Sequence, residues 1–316
     1  MPRQLRIEYP GAIYHVTNPA NGRKNPFEQD SDRRDFLAAL AETCAKTGFQ
    51  VHAYCLTRNH FHLVVETPNA NLVAGMHWLM SVYTMRYNAR HHRSGPVFSG
   101  RYKTVVVDGR GSGYLRTACD YVHLNPVWAK LLRPGQPLLK YPWSSLGSYL
   151  AGPSHRPSWL RVDRLLEEHE IGRDSVAGRR KFEQQMEARR AEAADGAEWQ
   201  GIRRGWCLGS KAFKESRLER MAGQLIKHHA GGPKRTNAER QGKRIIAEEL
   251  QRLGWNAREL KQRRKSDPAK LAIAARLRRE TTLTLSWIAA RLHGGTCKGF
   301  NAILHRWRKE HEPRKK

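Results

Sequence analysis

Along the first half of the chain, apolar positions switch repeatedly between a two-residue and a helical period. "AIYHVTN" (Ala12 to Asn18) alternates like a strand. "DRRDFLAALAETCAKTG" (Asp32 to Gly48) places Phe36, Leu37, Leu40 and Cys44 at helical spacing and stops at Gly48, a residue suited to ending a helix. "FQVHAYCLT" and "HFHLVVE" read as two more strands. In "NLVAGMHWLMSVYTMRYNARH", Leu72, Met76, Leu79, Val82 and Met85 share one helical face. "GRYKTVVVD" (Gly100 to Asp108) is a fourth strand, and "GYLRTACDYVHL" (Gly113 to Leu124) is a helix that runs into Asn125-Pro126. The order β-α-β-β-α-β-α predicts an α+β domain, an antiparallel or mixed sheet with helices packed on it. "YPWSSLGSYLAGPSHRPSW" closes it, giving a domain over residues 1–152 and a Pro/Ser linker.

Beyond that point strand signals fade. Residues 153–233 read as a basic helical connector, with a charged, alanine-rich stretch from Glu183 to Glu198. Residues 234–316 read as a separate helical region. "DPAKLAIAARLRRE" has Pro268 at its start, and "TLSWIAARLHGG" has Thr284 as its N-cap. After Gly294-Gly295, Thr296 can cap a last helix whose apolar face is Phe300, Ile303, Leu304 and Trp307. Two helices joined by a tight glycine turn, with Lys298, Asn301, His305 and Arg306 outward, fit a helix-turn-helix that binds DNA; an ordinary basic helical bundle is the alternative.

Charge decides which partners matter. The 316 residues carry 57 Lys and Arg against 29 Asp and Glu, a net +28, so a polyanion is expected, and nucleic acid before a membrane surface. No run approaches the ~20 apolar residues of a membrane span, and the first residues lack a secretory apolar core. Cys44, Cys55, Cys119, Cys207 and Cys297 are dispersed, which argues against a disulfide framework or zinc ribbon and for a reducing cytoplasm, with the protein on the nucleoid.

The candidate chemistry lies in "CLTRNHFHLVVETP" (Cys55 to Pro68). Side chains at i and i+2 of a strand share a face, so His60 and His62 point together, about 7 Å apart along the chain. Neutral imidazoles so placed can converge on one ion, although the same spacing fits two solvent-facing histidines of an edge strand. In "CDYVHLNPV", Tyr121 and Asn125 stand at i and i+4 on one helical face. The Asn125 amide oxygen can be a third ligand, and the Tyr121 phenol a nucleophile toward phosphorus. Pro126 biases Asn125 away from helical geometry, so the helix is expected to end there. Spacing alone leaves Tyr114, seven residues earlier on the same face, as a rival nucleophile. It also leaves the metal open, since imidazole suits Zn²⁺ or Ni²⁺ while Mg²⁺ prefers oxygen. Tyr83, Tyr87 and Tyr102 read as packing residues, His15 as a core or DNA-facing histidine, and His123 as off the Tyr121 face. Arg101 and Lys103, i and i+2 on a strand, can hold phosphates.

"RNHFHLVVE" followed some way on by "DYVHLNP" resembles the single-tyrosine transposases of the HUH superfamily, and among them the REP-associated tyrosine transposases, linked to repetitive extragenic palindromes. The similarity runs from about Tyr9 to Leu150 and includes "YHVTNPANGRKNPF" and "GRYKTVVVD". It implies an RRM-like antiparallel sheet with helices on its faces. It implies metal-binding histidines at His60 and His62, a nucleophile at Tyr121 and an auxiliary ligand at Asn125. It further implies Mg²⁺- or Mn²⁺-dependent cleavage of single-stranded DNA beside a folded hairpin, through a 5′-phosphotyrosine and a free 3′-OH, by a monomer or homodimer. Two other readings stand beside it: a non-catalytic DNA-binding regulator that keeps the fold, and a ribonuclease toxin, which lacks an evident acid/base pair.

Overall fold

Four strands carry the alternation read from the sequence: β1 (Ala12–Pro19), β2 (Gln50–Leu56), β3 (His60–Thr67) and β4 (Lys103–Val107). They pair antiparallel in the order β2-β3-β1-β4. Helix α1 (Asp30–Thr47) joins β1 to β2, and α2 (Leu72–Arg90) joins β3 to β4. This is the split β-α-β-β-α-β arrangement of RRM-like sheets. A two-residue strand, β5 (Cys207–Leu208), adds to β4 in parallel, so the five-stranded sheet is mixed. The computed structural model describes residues 7–22, 25–111, 113–191, 199–219 and 237–311. The chain forms two compact units, Met1–Gly232 and Pro233–Lys316.

The sheet's two faces have separate uses. Phe61 of β3 packs on Phe36 of α1 (ring centroids 4.9 Å apart) and on Phe98 (5.3 Å), and Tyr83 of α2 meets both of those rings, so α1 and α2 cover that face. Gly48, at φ 74°, ends α1 as its spacing predicted. On α2 the buried face is Leu72, Met76, Leu79, Tyr83 and Tyr87, whereas Met85 is 65% exposed. The two tyrosines displace the expected Val82 and Met85 because they can be buried whole: their hydroxyls donate to the carbonyls of Pro26 and Asn25. His60, His62 and Val64 alternate onto the opposite face.

The described residues of the second unit form helices α8 (Asn237–Leu253), α9 (Ala257–Gln262), α10 (Pro268–Glu280), α11 (Leu285–Arg291) and α12 (Cys297–His311). Its core gathers Ile245, Leu271, Leu277, Ile288, Phe300 and Leu304. Asp267 caps α10 ahead of Pro268, and the Thr284 hydroxyl accepts from the Trp287 N–H at 3.2 Å. The turn between α11 and α12 has Gly295 at φ 86°, and a Cβ on Gly294 would overlap the Phe300 ring. Lys298, Asn301, His305 and Arg306 are exposed along α12.

Helix α3 (Tyr114–Trp128) lies over the second face of the sheet, and it continues through Pro126. The helix was expected to stop before that residue. Pro126 removes one intrahelical bond, but Ala129 N–H still reaches the Asn125 carbonyl (2.9 Å) and Leu131 N–H that of Pro126 (2.8 Å). Both residues are buried, so packing outweighs the local bias, and Tyr121 and Asn125 keep their one-turn relation. A further layer covers α3 from outside: α4 (Leu146–Leu150), α5 (Asp163–Glu168) and α6 (Val176–Ala191). Phe182 of α6, fully buried, stacks on Tyr149 (5.1 Å) and meets the rings of His123 and His169. The stretch expected as a connector therefore contributes to the first unit's core; its residues 192–198 and 220–233 lie outside the described ones. Backbone bonds from Trp143, Ser145, Trp159 and Arg161 satisfy the outer edge of β2, as β5 does for β4. Phe182→Ala is expected to cost about 3–5 kcal/mol. Denaturation followed by far-UV circular dichroism should show the first unit's transition moving to lower denaturant; an unmoved transition would mean that α6 is detached from that core.

Candidate active site

Register and alternation bring the polar groups of the second sheet face together. His62 sits opposite Thr17 of β1 and Cys55 of β2, and Thr17 sits opposite Lys103 of β4. Paired residues of neighbouring strands share a face, so Lys103 stands two strands from His62 on the same side. His15, two residues before Thr17, reaches diagonally to His62. The rings stack with centroids 5.1 Å apart, and His15 Nε2 lies 2.9 Å from His62 Nδ1. His60 meets His62 edge to face at 4.7 Å. Tyr121 of α3 closes the group, its ring 5.7 Å from that of His62 and 5.6 Å from that of His15.

Burial keeps these imidazoles neutral. It holds His15 down to about 4, holds His62 well below the ordinary histidine value and lowers His60; the neighbouring histidines add to the effect on His15 and His62. Neutral imidazole is the form that ligates a cation. His60 Nδ1 lies 2.8 Å from Asn59 Oδ1 and 2.9 Å from Thr57 Oγ1, while the Thr57 hydroxyl donates to the His60 carbonyl. Nδ1 is therefore the protonated nitrogen, and the lone pair is on Nε2. His62 Nε2 and Asn125 Oδ1 are both buried without a hydrogen-bond partner. Orphaned acceptors of this kind are uncommon and point to a missing partner. Two imidazoles and an amide oxygen are a donor set for one divalent ion, so the residues present fit such a group. Among the described residues no three His, Cys, Asp or Glu side chains are grouped to hold a metal.

The other candidates separate. Arg101 precedes β4, which begins at Lys103, so strand alternation does not put the two on one face; both are exposed. His123 bonds the Ser145 hydroxyl at 2.8 Å and packs among rings, well away from the histidine pair's chemistry. Tyr114 is half-buried at the first turn of α3, while Tyr121 carries the contacts to His15 and His62. Lys298, Asn301, His305 and Arg306 belong to the second unit. An open groove of about 510 Å³ beside His60 is lined by Asn25, Thr57, Arg58, Asn59 and Leu131.

Several neighbours of Tyr121 went unread in the sequence. Trp128 lies 4.9 Å from its ring and Trp199 5.9 Å, and the Arg203 guanidinium stands 6.0 Å from it. Trp128 could have been found, at seven residues along the same helix. Trp199 and Arg203 follow a stretch without periodic signal, and nothing local marks them. His15 was marked only as polar on its strand; its diagonal reach to His62 depends on the β1–β3 register.

The RRM-like sheet thus presents His62 of the His-Phe-His strand and His15 of β1 to a helical tyrosine. Residues 9–125 match the family model described as "Transposase IS200 like". A solved structure of a REP-associated tyrosine transposase bound to a REP hairpin is similar over 50% of this chain and 91% of its own, at 15% identity and a TM-score of 0.42. No curated protein matches the chain.

The His15 contact makes a testable demand on His62. If His62 offers Nε2 to a cation, its Nδ1–H must donate to His15 Nε2, which makes His15 the group that selects the tautomer. His15→Phe keeps a stacked ring but removes the acceptor. Mn²⁺ affinity, followed by electron paramagnetic resonance, should fall by about 10–100-fold; unchanged affinity would show that His15 only packs.

Proposed function

We propose that this chain is a metal-dependent single-stranded DNA endonuclease and strand transferase, acting beside hairpins with Tyr121 as nucleophile. The observation that carries the reading is the placement of the Tyr121 ring against His62, one helical turn from the unpartnered Asn125 oxygen. His60 Nε2, His62 Nε2 and Asn125 Oδ1 are the atoms that would hold a divalent ion. When bound, Mg²⁺ or Mn²⁺ supplies Lewis acidity that offsets phosphate charge.

Tyr121 Oη attacks the scissile phosphorus. The Oη–P bond forms as the P–O3′ bond breaks, the phenolic proton leaves to solvent, and the 3′-oxygen takes up a proton. The 5′-phosphotyrosine keeps the energy of the phosphodiester, so a 3′-OH can reverse the step without a nucleotide cofactor. Lys103, on the His62 face, and Arg101, just before the strand, would hold flanking phosphates in this reading. The substrate class, a hairpin of palindromic repeats, follows from the motif resemblance, as does work on the nucleoid. No described helix is long and apolar enough to cross a membrane.

Tyr121→Phe removes one oxygen and leaves the ring. It should abolish the covalent adduct on a single-stranded hairpin substrate while hairpin binding survives, whereas Tyr114→Phe should still form the adduct. The reverse pattern, read by denaturing gel electrophoresis, would transfer the nucleophile to Tyr114.

The second unit is proposed to hold duplex DNA through α12. Its Lys298, Asn301, His305 and Arg306 are exposed on the helix that follows the glycine turn, the position from which a recognition helix reads a groove. Replacing Lys298 and Arg306 together by alanine should weaken duplex binding and flatten its salt dependence. The log–log slope should fall by about 0.9 for each phosphate that the variant no longer neutralises. An unaltered slope would make α12 a packing helix with a solvated face.

A further inference from the structure

The matched domain ends at residue 125, yet the surroundings of Tyr121 do not. Trp199, 2% exposed, packs against Trp128 (5.2 Å) and Tyr121, and the next turn, α7 (Gln200–Arg204), carries Arg203. β5 then pairs Cys207 and Leu208 with Val106 and Val107, which fastens this short segment to the sheet. From the other side Arg189 stands over the Trp199 ring at 5.3 Å and pairs with Asp120, the residue before Tyr121, at 3.1 Å. The Arg203 guanidinium is held 5.4 Å from the Trp128 ring and 6.0 Å from that of Tyr121, and the residue is exposed.

We infer that Arg203 is a catalytic residue that binds the non-bridging oxygens of the scissile phosphate while Tyr121 attacks it. This rests on Tyr121 acting as the nucleophile. Three features carry the inference. An anchored tryptophan and a strand pairing fix the segment that carries the cation. It stands beside two aromatic rings, one of them the reacting phenol's own. A guanidinium also carries five N–H donors around its edge, in a geometry that suits a planar pair of oxygens. Negative charge grows on those oxygens as the Oη–P bond forms and the P–O3′ bond breaks. A preplaced cation stabilises that state more than the starting diester. The tyrosine and the arginine would then come from parts of the chain separated by the whole outer layer of helices, with only the tyrosine inside the matched domain.

The full-length chain tests this in single-turnover reactions at saturating hairpin DNA. Arg203→Ala should slow formation of the Tyr121 adduct by about 10²–10³-fold with hairpin affinity little changed. Arg203→Lys should recover part of the rate. Arg204→Ala, which removes the same charge from the neighbouring position, should react like the unmutated chain. Should the alanine variant unfold, Arg203→Gln reads the loss of charge at nearly constant length. An Arg203→Ala rate equal to that of Arg204→Ala overturns the inference. A loss confined to affinity also overturns it, because Arg203 would then anchor the DNA backbone away from the reacting phosphate. Absence of any Tyr121-dependent adduct in the unmutated chain sinks the nuclease reading itself; a normal adduct that is indifferent to Arg203 sinks the arginine alone.

Discussion

The carboxylate of Asp120 is fully buried between His169 Nε2 (2.9 Å) and Arg189 Nε (3.1 Å), and the position of the candidate nucleophile depends on that arrangement. A carboxylate with no access to water is tolerable only with such partners, and removing one leaves an uncompensated charge that costs far more than the pair returns. Both partners come from the outer layer, just after α5 and within α6. The side of α3 that carries Asp120 must therefore face that layer. Successive helical residues are about 100° apart, so Tyr121 is turned off that side, and Asn125 follows it one turn on. The buried ion pair thus sets the rotation of α3 about its axis, and the rotation decides which side chains look at the histidines. Packing alone would allow slippage; a buried charge does not.

Much of this was legible, for a reason that differs between elements. The strand pair β2–β3 and helix α1 follow local periodicity, and the glycine at the end of α1 has the left-handed backbone its position asked for. His60 and His62 share a face because strand geometry admits nothing else. α2 was legible as a helix but misread as a face: hydropathy ranks Val82 and Met85 above tyrosine, whereas a tyrosine whose hydroxyl finds a carbonyl is buried as deeply as any leucine. Pro126 misled in the opposite direction. A local steric preference of the kind proline imposes is a modest bias, and a helix buried on two sides overrides it.

What was not legible shares one property: it depends on contacts between segments far apart in the chain. The His15–His62 stack needs the β1–β3 register, and the Trp199–Tyr121 contact needs a crossing of the whole outer layer. Outside α6, the described residues 153–171 and 199–208 carry little strand or helix periodicity because they are short pieces, each fitted to a surface that already exists. Short elements of that kind bury their apolar groups against a template, so they need no amphipathic period of their own. Composition then reads them as linker, and their place in the core emerges only in three dimensions.

The charge imbalance gives the same conclusion a physical basis. In a chain with a net +28, carboxylates are scarce, and several of those that are buried or half-buried collect more than one basic partner. Asp32 holds Arg90 and His91; Glu66 holds His52, Arg161 and Arg164; Asp174 holds Arg156 and Arg179; Glu249 holds Arg252 and Arg276. Three of these clusters join elements distant in sequence. Glu66 of β3 gathers arginines from the outer layer about a hundred residues on, and Glu249 of α8 binds one from α10. The acids act as internal nodes that consume cations where the fold needs ties. Exposed cations remain at Lys103 on the histidine face and at Lys298 and Arg306 of α12. A surplus arranged this way keeps these exposed basic groups separate from those that hold the protein together.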